Sequence, residues 1–360
     1  MYKVFFITFG CKVNQYETDS MRSEFVSQGF VETDSADDAD IIIINSCTVT
    51  GSGDSKSLYS VRKMRKIAPN AIIALTGCLP QAAPEIAAKI PEADIVAGTK
   101  DRRKLPELVR SVIAERRHIV AIDQYGAHDE FELTRFEGAQ DKTRAFVKIQ
   151  DGCNQFCSYC IIPYARGRLR SKPIDALKDE ISRLAQSGRR EIVLVGINLA
   201  FYGVEFGLRL ADAVEVCCKT EGIERVRLGS LEPEMLSDED LRRLAALPEL
   251  CPQFHLSLQS GSENTLKAMN RKYTAADYFT LTQKIRAAFP NASFTTDIMV
   301  GFPTETEEDF AESMRFAEKI GFAKIHVFQY SPRTGTPAAK MPQIAASVKT
   351  ERADRMKALA

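Results

Sequence analysis

Short apolar runs alternate with amphipathic segments through the first third of the chain. Four of these runs lack polar alternation and predict buried strands: Val4–Thr8, Ile41–Ile44, Ile72–Leu75 and Ile95–Val96. Helical spacing predicts helices between and after them: Glu17–Gln28, Asp54–Ile67, Ile86–Ile90 and Leu105–Arg116. Uniformly apolar strands joined by helices are typical of a parallel sheet covered on both faces. The pattern therefore predicts an α/β domain over residues 1–122, with a Rossmann- or flavodoxin-like parallel sheet.

The alternation resumes after a polar segment, residues 123–143, which we interpret as an interdomain linker. Beyond it six strands are predicted: Ala145–Ile149, Ile192–Val195, Arg225–Leu228, Gln253–Leu258, Ser293–Val300 and Ala323–Phe328. The helical segments between them are Ile174–Gln186, Leu210–Lys219, Asp238–Ala246, the long region Asn264–Ala288, and Glu307–Lys319. Six such units over residues 144–336 favour a partial (β/α)6 barrel. Residues 337–360 form a Pro-containing segment and a predicted helix, Val348–Leu359.

The bulk composition indicates an ordinary soluble protein of two domains. The chain has 360 residues, of which 44% are hydrophobic and 27% charged. Lys+Arg and Asp+Glu both total 48, so the net charge gives no indication of a polyanionic partner. The N-terminal apolar run ends at Gly10 and is too short for a signal peptide, and Ile41–Ile44 is far shorter than a membrane span. We therefore expect a cytoplasmic protein whose nine cysteines are reduced.

Three cysteines, Cys153, Cys157 and Cys160, form a C-x3-C-x2-C motif directly after the first barrel strand. Three thiolates this close can hold three irons of a cubic iron–sulfur cluster and leave the fourth iron open to a chelating ligand such as S-adenosylmethionine. The loop lies at the barrel face where active sites are built. The alternatives are a redox-only cluster and zinc, although structural zinc usually has four ligands in two pairs and no second pair follows.

A second set of three cysteines is scattered through the N-terminal domain. Cys11, Cys47 and Cys78 each lie two or three residues beyond a predicted strand. The carboxyl ends of parallel strands meet at one edge of the sheet, so the three thiols are expected to converge. The alternative for each cysteine alone is a buried core thiol.

The C-x3-C-x2-C motif, with Tyr159 before its last cysteine, resembles the radical S-adenosylmethionine superfamily. The resemblance implies that S-adenosylmethionine chelates the open iron and yields a 5′-deoxyadenosyl radical, which abstracts hydrogen from an unactivated C–H bond. It also implies cofactor contacts for Tyr159 and for residues at later strand ends: Gly196, Asn198, Ser230, Glu232, His255, Gln259 and Asp297. The alternative for Tyr159 is loop packing, and the alternative for the polar residues is a hydrogen-bonded structural role. No catalytic residue is predicted beyond the cluster ligands.

The pairing of this motif with an N-terminal cysteine trio resembles the radical S-adenosylmethionine methylthiotransferases. The matching contexts are residues 10–17 (GCKVNQYE), 45–50 (NSCTVT) and 76–78 (TGC). The resemblance implies that Cys11, Cys47 and Cys78 bind a second 4Fe-4S cluster, whose open iron carries the sulfur or methylthio group to be transferred. Residues 10–18 (GCKVNQYET) and 153–168 (CNQFCSYCIIPYARGR) resemble the branch that methylthiolates adenine C2 of N6-threonylcarbamoyladenosine beside the tRNA anticodon.

Basic residues after the motif are candidate contacts for RNA phosphates. In an extended chain, Arg166, Arg168 and Arg170 would share one face. An ordinary solvated charged face is the alternative. The resemblance further implies a C-terminal RNA-binding (TRAM-like) domain, which is expected to follow the segment at which this chain ends.

The expected partners are tRNA, S-adenosylmethionine, a flavodoxin- or ferredoxin-like electron donor and a sulfur source, with no membrane contact and a monomeric state. Two other functions stay open at this point. One is the branch of the same family that modifies an aspartate of a ribosomal protein. The other is an iron–sulfur electron carrier or sensor, which would need no S-adenosylmethionine site.

Overall fold

The structure, a computed structural model, describes residues 1–134 and 144–359. It divides into two compact units. The first contains residues 1–134, 151–153 and 161–170, and the second contains residues 144–150, 154–160 and 171–359. Part of the predicted linker, residues 135–143, lies outside the described residues. Its described part, residues 123–134, belongs to the first unit, where Asp129 accepts a hydrogen bond from Lys100 at 2.9 Å.

The first unit contains a parallel sheet of six strands. They are β1 Lys3–Thr8, β2 Val31–Glu32, β3 Ile41–Ser46, β4 Ile72–Gly77, β5 Ile95–Ala97 and β6 Ile119–Ala121. Their order is β2-β1-β3-β4-β5-β6, and every pairing is parallel. The helices of this unit are α1 Lys12–Ser27, α2 Gly51–Ile67, α3 Cys78–Ala82, α4 Pro84–Ala87, α5 Leu105–Glu115 and α6 Ile162–Arg166. The predicted N-terminal parallel sheet is confirmed.

Both faces of this sheet are covered because its central strands are apolar at every core position. In β3, Ile41 and Ile43 pack in one cluster, whose helical members include Phe25 of α1. Ile42 and Ile44 belong to a second cluster with Val61 of α2 and other residues. Successive side chains of a strand point to opposite faces, so the uninterrupted isoleucine run fills two core layers.

The second unit contains two four-stranded sheets. The strands are β7 Arg144–Asp151, β8 Arg170–Ser171, β9 Glu191–Gly196, β10 Arg225–Leu228, β11 Ser230–Leu231, β12 Gln253–Leu256, β13 Ser293–Val300 and β14 Lys324–Gln329. The sheet orders are β10-β9-β7-β8 and β11-β12-β13-β14. The last residue of β7, Asp151, and the first residue of β8, Arg170, are assigned to the first unit. Strands β7, β9 and β10 pair in parallel, as do β11 to β14. This arrangement agrees with the predicted partial barrel.

Seven helices complete the described part of the second unit. They are α7 Ile174–Gln186, α8 Leu210–Cys218, α9 Asp238–Ala245, α10 Glu263–Ala268, α11 Ala275–Ala288, α12 Glu307–Ile320 and α13 Ala346–Leu359. The region predicted as one long helix divides into α10 and α11, because Asn270 adopts a left-handed conformation with φ +58° and Thr274 caps a new helix. Helix α13 packs on this unit, where its Arg352 pairs with Glu305 at 2.7 Å.

Within residues 1–134 and 144–359, no helix is both long and apolar enough to cross a membrane.

Candidate functional site

The N-terminal cysteines follow three adjacent strands of the first unit. Cys11 is the residue before α1, Cys47 directly follows β3, and Cys78 is the first residue of α3 after β4. Strands β1, β3 and β4 are neighbours in the sheet and run in parallel, so their carboxyl ends share one edge. Gly10 has φ +101°, and a Cβ atom there would lie 2.8 Å from Cys47 Cβ and 3.0 Å from its Sγ. This close approach brings the loop of Cys11 against Cys47.

The amide of Asn14 links these loops. Its Nδ2 donates hydrogen bonds to the carbonyl oxygens of Phe9, at 2.8 Å, and Ser46, at 2.9 Å. Its Oδ1 lies 3.9 Å from Cys11 Sγ and 4.0 Å from Cys78 Sγ, so one oxygen accepts from both thiols. Asn14 therefore ties the first cysteine loop to the second through its amide nitrogen, and its oxygen lies near the thiols of the first and third loops.

The three thiols differ in exposure. Cys11 is exposed, Cys47 is partly buried and Cys78 is buried. Burial raises the pKa of the Cys47 thiol, and burial raises the pKa of Cys78 to about 12 against the opposing charge of Arg166. Thiolate is the metal-binding form, so a metal at this trio must displace protons that burial holds in place.

Arg166 lies at the centre of a buried charge network in the first unit. Its side chain is 0% exposed. Nη1 donates to Glu17 Oε1 at 2.7 Å and to Asp151 Oδ1 at 3.2 Å, and Nη2 donates to Glu17 Oε2 at 2.9 Å and to Asn14 Oδ1 at 2.7 Å. Burial opposes the charge of Arg166, but the Cys78 thiol, Glu17 and Asp151 outweigh it and raise the pKa of the guanidinium.

The structure contradicts the predicted RNA contacts of Arg166 and Arg170. Arg166 ends helix α6, so the segment is not the extended strand on which the shared face depended. Arg170 is also buried, stacks 4.5 Å over the Tyr125 ring centroid and donates to the Arg166 carbonyl at 2.9 Å. Buried guanidinium groups in protein hydrogen bonds have no surface to offer a phosphate. Arg168 is exposed, and its RNA contact stays a prediction.

The motif cysteines belong to both compact units. Cys153 lies in the first, where its backbone N–H donates to the Gly167 carbonyl at 3.1 Å. Cys157, which is buried, and Cys160, which is partly buried, lie in the second. The preceding Gly152 has φ +69°, and a Cβ there would collide with the Arg168 carbonyl. Only glycine fits this turn, because both its conformation and its space exclude a side chain.

Arg271 is the charged partner of the motif within the second unit. Its Nη1 donates to Cys157 Sγ at 3.3 Å and to the Tyr159 hydroxyl at 3.4 Å, and its Nη2 forms a close ion pair with Glu232. Burial raises the pKa of Cys157, and the Arg271 guanidinium acts in the opposite direction. Two residues predicted to contact the cofactor, Tyr159 and Glu232, are thus joined to a motif thiol through one guanidinium.

The other predicted cofactor residues of the second unit lie at or near strand ends. Asn198 is buried, and its backbone N–H donates to Gln150 Oε1 at 2.6 Å. A Cβ at Gly196 would lie 3.0 Å from the same Gln150 oxygen, so this glycine permits a close approach of side chain to backbone. Ser230 is exposed and begins β11.

His255 and Asp297 form a pair across neighbouring strands. His255 Nε2 lies 3.3 Å from Asp297 Oδ2, and its Nδ1 lies 3.0 Å from Thr295 Oγ1. Gln259 adopts φ +65° and donates its backbone N–H to the Asp297 carbonyl at 2.8 Å. The structure thus brings His255, Gln259 and Asp297 together, while their contact with a cofactor stays a prediction.

The donor chemistry of both trios fits iron–sulfur clusters. In residues 1–134 and 144–359, no three His, Cys, Asp or Glu side chains are grouped as ligands of a single metal ion. Cysteines that hold a cubic cluster bind different irons, so they need not meet at one ion. Three soft thiols at neighbouring strand ends, with one buried guanidinium near them, are therefore a suitable cradle for a cluster at Cys11, Cys47 and Cys78.

Three polar residues were not recognised in the sequence as parts of these sites. Asn14 and Glu17 lie on helix α1, three residues apart and therefore on one face, and two polar residues at this spacing directly after a candidate ligand were an available signal. Arg271 lies 114 residues from Cys157, and no sequence pattern connects the two.

Profiles of two protein families match the two parts of the chain. A profile of the Radical SAM superfamily matches residues 147–317, and one of an uncharacterised protein family, UPF0004, matches residues 3–98. The chain is 39% identical to the threonylcarbamoyladenosine tRNA methylthiotransferase MtaB of Bacillus subtilis, over 100% of this chain and 80% of that protein. It is 38% identical to the tRNA-2-methylthio-N(6)-dimethylallyladenosine synthase of Pelotomaculum thermopropionicum, over 98% of this chain and 80% of that protein.

A solved structure shows the same fold at low sequence identity. The radical S-adenosylmethionine methyltransferase TsrM from Kitasatospora setae superposes with a TM-score of 0.69 at 14% identity, covering 94% of this chain and 77% of that one. At this identity the likeness shows the fold alone.

Proposed function

The chain belongs to the radical S-adenosylmethionine methylthiotransferase family, and from that premise we propose that it methylthiolates adenine C2 of N6-threonylcarbamoyladenosine next to the anticodon of tRNA. Its cofactors are S-adenosylmethionine and 4Fe-4S clusters. The observation that carries the proposal is the pair of cysteine trios. Cys11, Cys47 and Cys78 follow three adjacent parallel strands, and the C-x3-C-x2-C motif stands in the matched superfamily region.

Two bound clusters and S-adenosylmethionine would supply the radical that removes the C2 hydrogen and the methylthio group that replaces it. The chain's own residues hold the ligands. Arg271 donates to Cys157 and pairs with Glu232, so the sulfur ligand and the carboxylate keep one orientation. Burial of Cys157 and of Cys78 keeps water away from the sulfur atoms, which lowers the local dielectric and strengthens these charge contacts.

The first experiment counts iron and sulfide. Anaerobically reconstituted full chain should hold about eight irons, and the triple variant Cys153→Ala/Cys157→Ala/Cys160→Ala about four. The matched variant Cys11→Ala/Cys47→Ala/Cys78→Ala should also hold about four. Cys217→Ala/Cys218→Ala, which changes two buried cysteines outside both trios, is the control and should retain all eight. Equal iron content in the wild type and either trio variant would refute the two-cluster assignment.

The nucleoside substrate needs a separate experiment, because relatives named for two different modified adenosines match at 39% and 38% identity. Nucleosides of tRNA from a deletion strain should lack the methylthio form of threonylcarbamoyladenosine and keep that of dimethylallyladenosine. Complementation with the wild type, but not with either trio variant, should restore the methylthio form of threonylcarbamoyladenosine. Loss of the dimethylallyl form instead would assign the other substrate.

The remaining partners are also proposals. A flavodoxin- or ferredoxin-like protein supplies the electron, a separate source supplies the sulfur, and the chain acts as a cytoplasmic monomer. Reduction by purified flavodoxin, followed by release of 5′-deoxyadenosine, tests the electron donor. Light scattering of the reconstituted chain tests the monomeric state.

A further inference from the structure

Arg166 is a fully buried cation beside the N-terminal cysteine trio. It lies six residues beyond Cys160 in sequence but belongs to the first compact unit. Its Nη2 contacts Asn14 Oδ1 at 2.7 Å, and that oxygen is the one 3.9 Å from Cys11 Sγ and 4.0 Å from Cys78 Sγ. One amide oxygen therefore separates the guanidinium from two thiols of the trio.

The hydrogen bonds of Arg166 satisfy only part of its guanidinium. Nη1 and Nη2 are fully engaged with Glu17, Asp151 and Asn14. Nε is buried and has no hydrogen-bond partner among residues 1–134 and 144–359. Since leaving a buried donor unpaired costs about 1–3 kcal/mol, and more for charged groups, this atom marks a place where a further negative group would be stabilised.

The positive charge of Arg166 has its largest effect on the trio when the three thiols bind metal as thiolates. Three thiolates would gather negative charge around Asn14 Oδ1, whose lone pairs repel them. Arginine keeps its charge at any pH the protein survives, so Arg166 offsets that charge permanently. In a buried site of low dielectric the interaction is stronger than it would be in water.

We propose that Arg166 is a positioning residue for the cluster held by Cys11, Cys47 and Cys78: its buried guanidinium stabilises the sulfur ligands and raises the reduction potential of that cluster. The proposal rests on the proposed function, because it presumes a cluster at this trio. A nearby cation favours the reduced state, which carries one more negative charge. Removal of the cation should therefore shift the potential to more negative values.

The test uses full-length protein in the Cys153→Ala/Cys157→Ala/Cys160→Ala background, so that only the N-terminal cluster contributes. Midpoint potentials are read from an anaerobic titration followed by electron paramagnetic resonance. Arg166→Met and Arg166→Gln, both neutral, should shift the potential to more negative values and speed iron loss to a chelator. Arg166→Lys, which keeps the charge, should stay close to the background. Arg170→Met is the matched control, since Arg170 is buried in the same segment and contacts Tyr125 and Asp151.

Each outcome decides the proposal. A neutral variant with a full cluster and an unchanged potential overturns it, as does an equal shift in Arg170→Met. If both neutral variants keep native circular dichroism but bind no iron, while Arg166→Lys and Arg170→Met do, the ligand-stabilising role is supported. If Arg170→Met loses iron as well, the segment is merely structural and the proposal fails. Absence of iron in the background itself would refute the proposed second cluster instead.

Discussion

Glycines at positive φ let the strand-end loops approach one another around the N-terminal trio. Gly77 directly precedes Cys78 and has φ +101°. A Cβ there would lie 2.6 Å from Asn45 Oδ1 and from the Ser46 carbonyl oxygen. Backbone atoms of a central strand cannot move away without breaking the ladder between β3 and β4. The residue before the third cysteine is therefore restricted both in conformation and in space.

We predict that Gly77→Ala lowers the free energy of unfolding by about 2–4 kcal/mol, from conformational strain and overpacking together. Gly188→Ala is the matched control, because Gly188 has φ +87° but a Cβ added there would meet no heavy atom within 4 Å. Only the conformational strain of about 1–2 kcal/mol applies there. Urea unfolding followed by circular dichroism measures both. Equal losses in the two variants would show that crowding at Gly77 is unimportant.

Burial of Cys78 makes the stability of the metal-free chain depend on pH. The thiol has an ordinary pKa of 9.0 and a folded-state pKa of about 12. Between these values the unfolded chain releases a proton that the folded chain keeps, so stability present below pH 9.0 is lost as pH rises toward 12. The free energy of unfolding should fall by at most about 1.4 kcal/mol per pH unit for this one thiol.

Cys78→Ala should flatten that slope in metal-free protein, measured by urea unfolding between about pH 8 and 10.5. Cys218→Ala offers an independent comparison, since burial also raises the pKa of Cys218 to about 12 in the other unit. A slope that Cys218→Ala reduces but Cys78→Ala leaves intact would show that Cys78 is not held protonated in the fold.

At the scale of elements, two helices of the second unit begin with the same capping box in different surroundings. Thr274 and Asp277 cap α11, and Thr306 and Asp309 cap α12. Asp277 is exposed, whereas Asp309 is buried and accepts further hydrogen bonds from Ser262 Oγ at 2.7 Å and Asn264 Nδ2 at 3.2 Å. One carboxylate thus joins the start of α12 to the start of α10.

We predict that Asp309→Ala destabilises the protein by about 2–4 kcal/mol, because the Thr306 N–H and hydroxyl lose their acceptor in the capping box and the buried Ser262 hydroxyl loses its acceptor as well. Asp277→Ala removes the equivalent but exposed acceptor of the Thr274 N–H and hydroxyl and should cost about 1 kcal/mol. Thermal unfolding of the two single variants gives the comparison. The interpretation is wrong if the exposed cap proves as costly as the buried one.

The sequence predicts long, uniformly apolar elements well and short ones poorly. The strand predicted over Ile41–Ile44 is observed as β3, because its hydrophobic run can only be buried on two faces. Two-residue strands such as β2 and β11 were missed, since so few residues carry no periodic signal. The convergence of the three N-terminal cysteines follows from strand ends alone.

The interpretation of Arg166 failed for a different reason. Alternation after the cluster motif suggested an exposed basic face, but Arg166 ends a helix and its carboxylate partner Glu17 lies 149 residues earlier in the chain. Spacing along the sequence describes local faces, whereas a buried ion pair depends on which distant segments fold together. The same limit hid the contact between Arg271 and Cys157.

At the scale of the whole molecule, the first compact unit is built from separate stretches of chain. Residues 151–153 and 161–170 belong to it although they flank the cysteine motif. Within the unit, Thr99 Oγ1 donates to the Ala165 carbonyl at 2.7 Å, and a Cβ at Gly167 would touch the Tyr125 ring at 2.6 Å. The first compact unit therefore includes residues beyond the domain boundary that was predicted between residues 122 and 144.

We predict that residues 1–134 expressed alone are far less stable than the same residues in the full chain. Without Arg166, the buried carboxylate of Glu17 loses the two hydrogen bonds from that guanidinium, at 2.7 and 2.9 Å, and breaking a buried ion pair costs about 3–5 kcal/mol. Hydrogen exchange of the β3 and β4 amides should be slow in the full chain and fast in the fragment. Glu17→Leu should destabilise the full chain by orphaning Arg166, and should change the fragment less, because the fragment has already lost that ion pair. A fragment whose strands exchange as slowly as in the full chain would show that residues 151–153 and 161–170 contribute little to this fold.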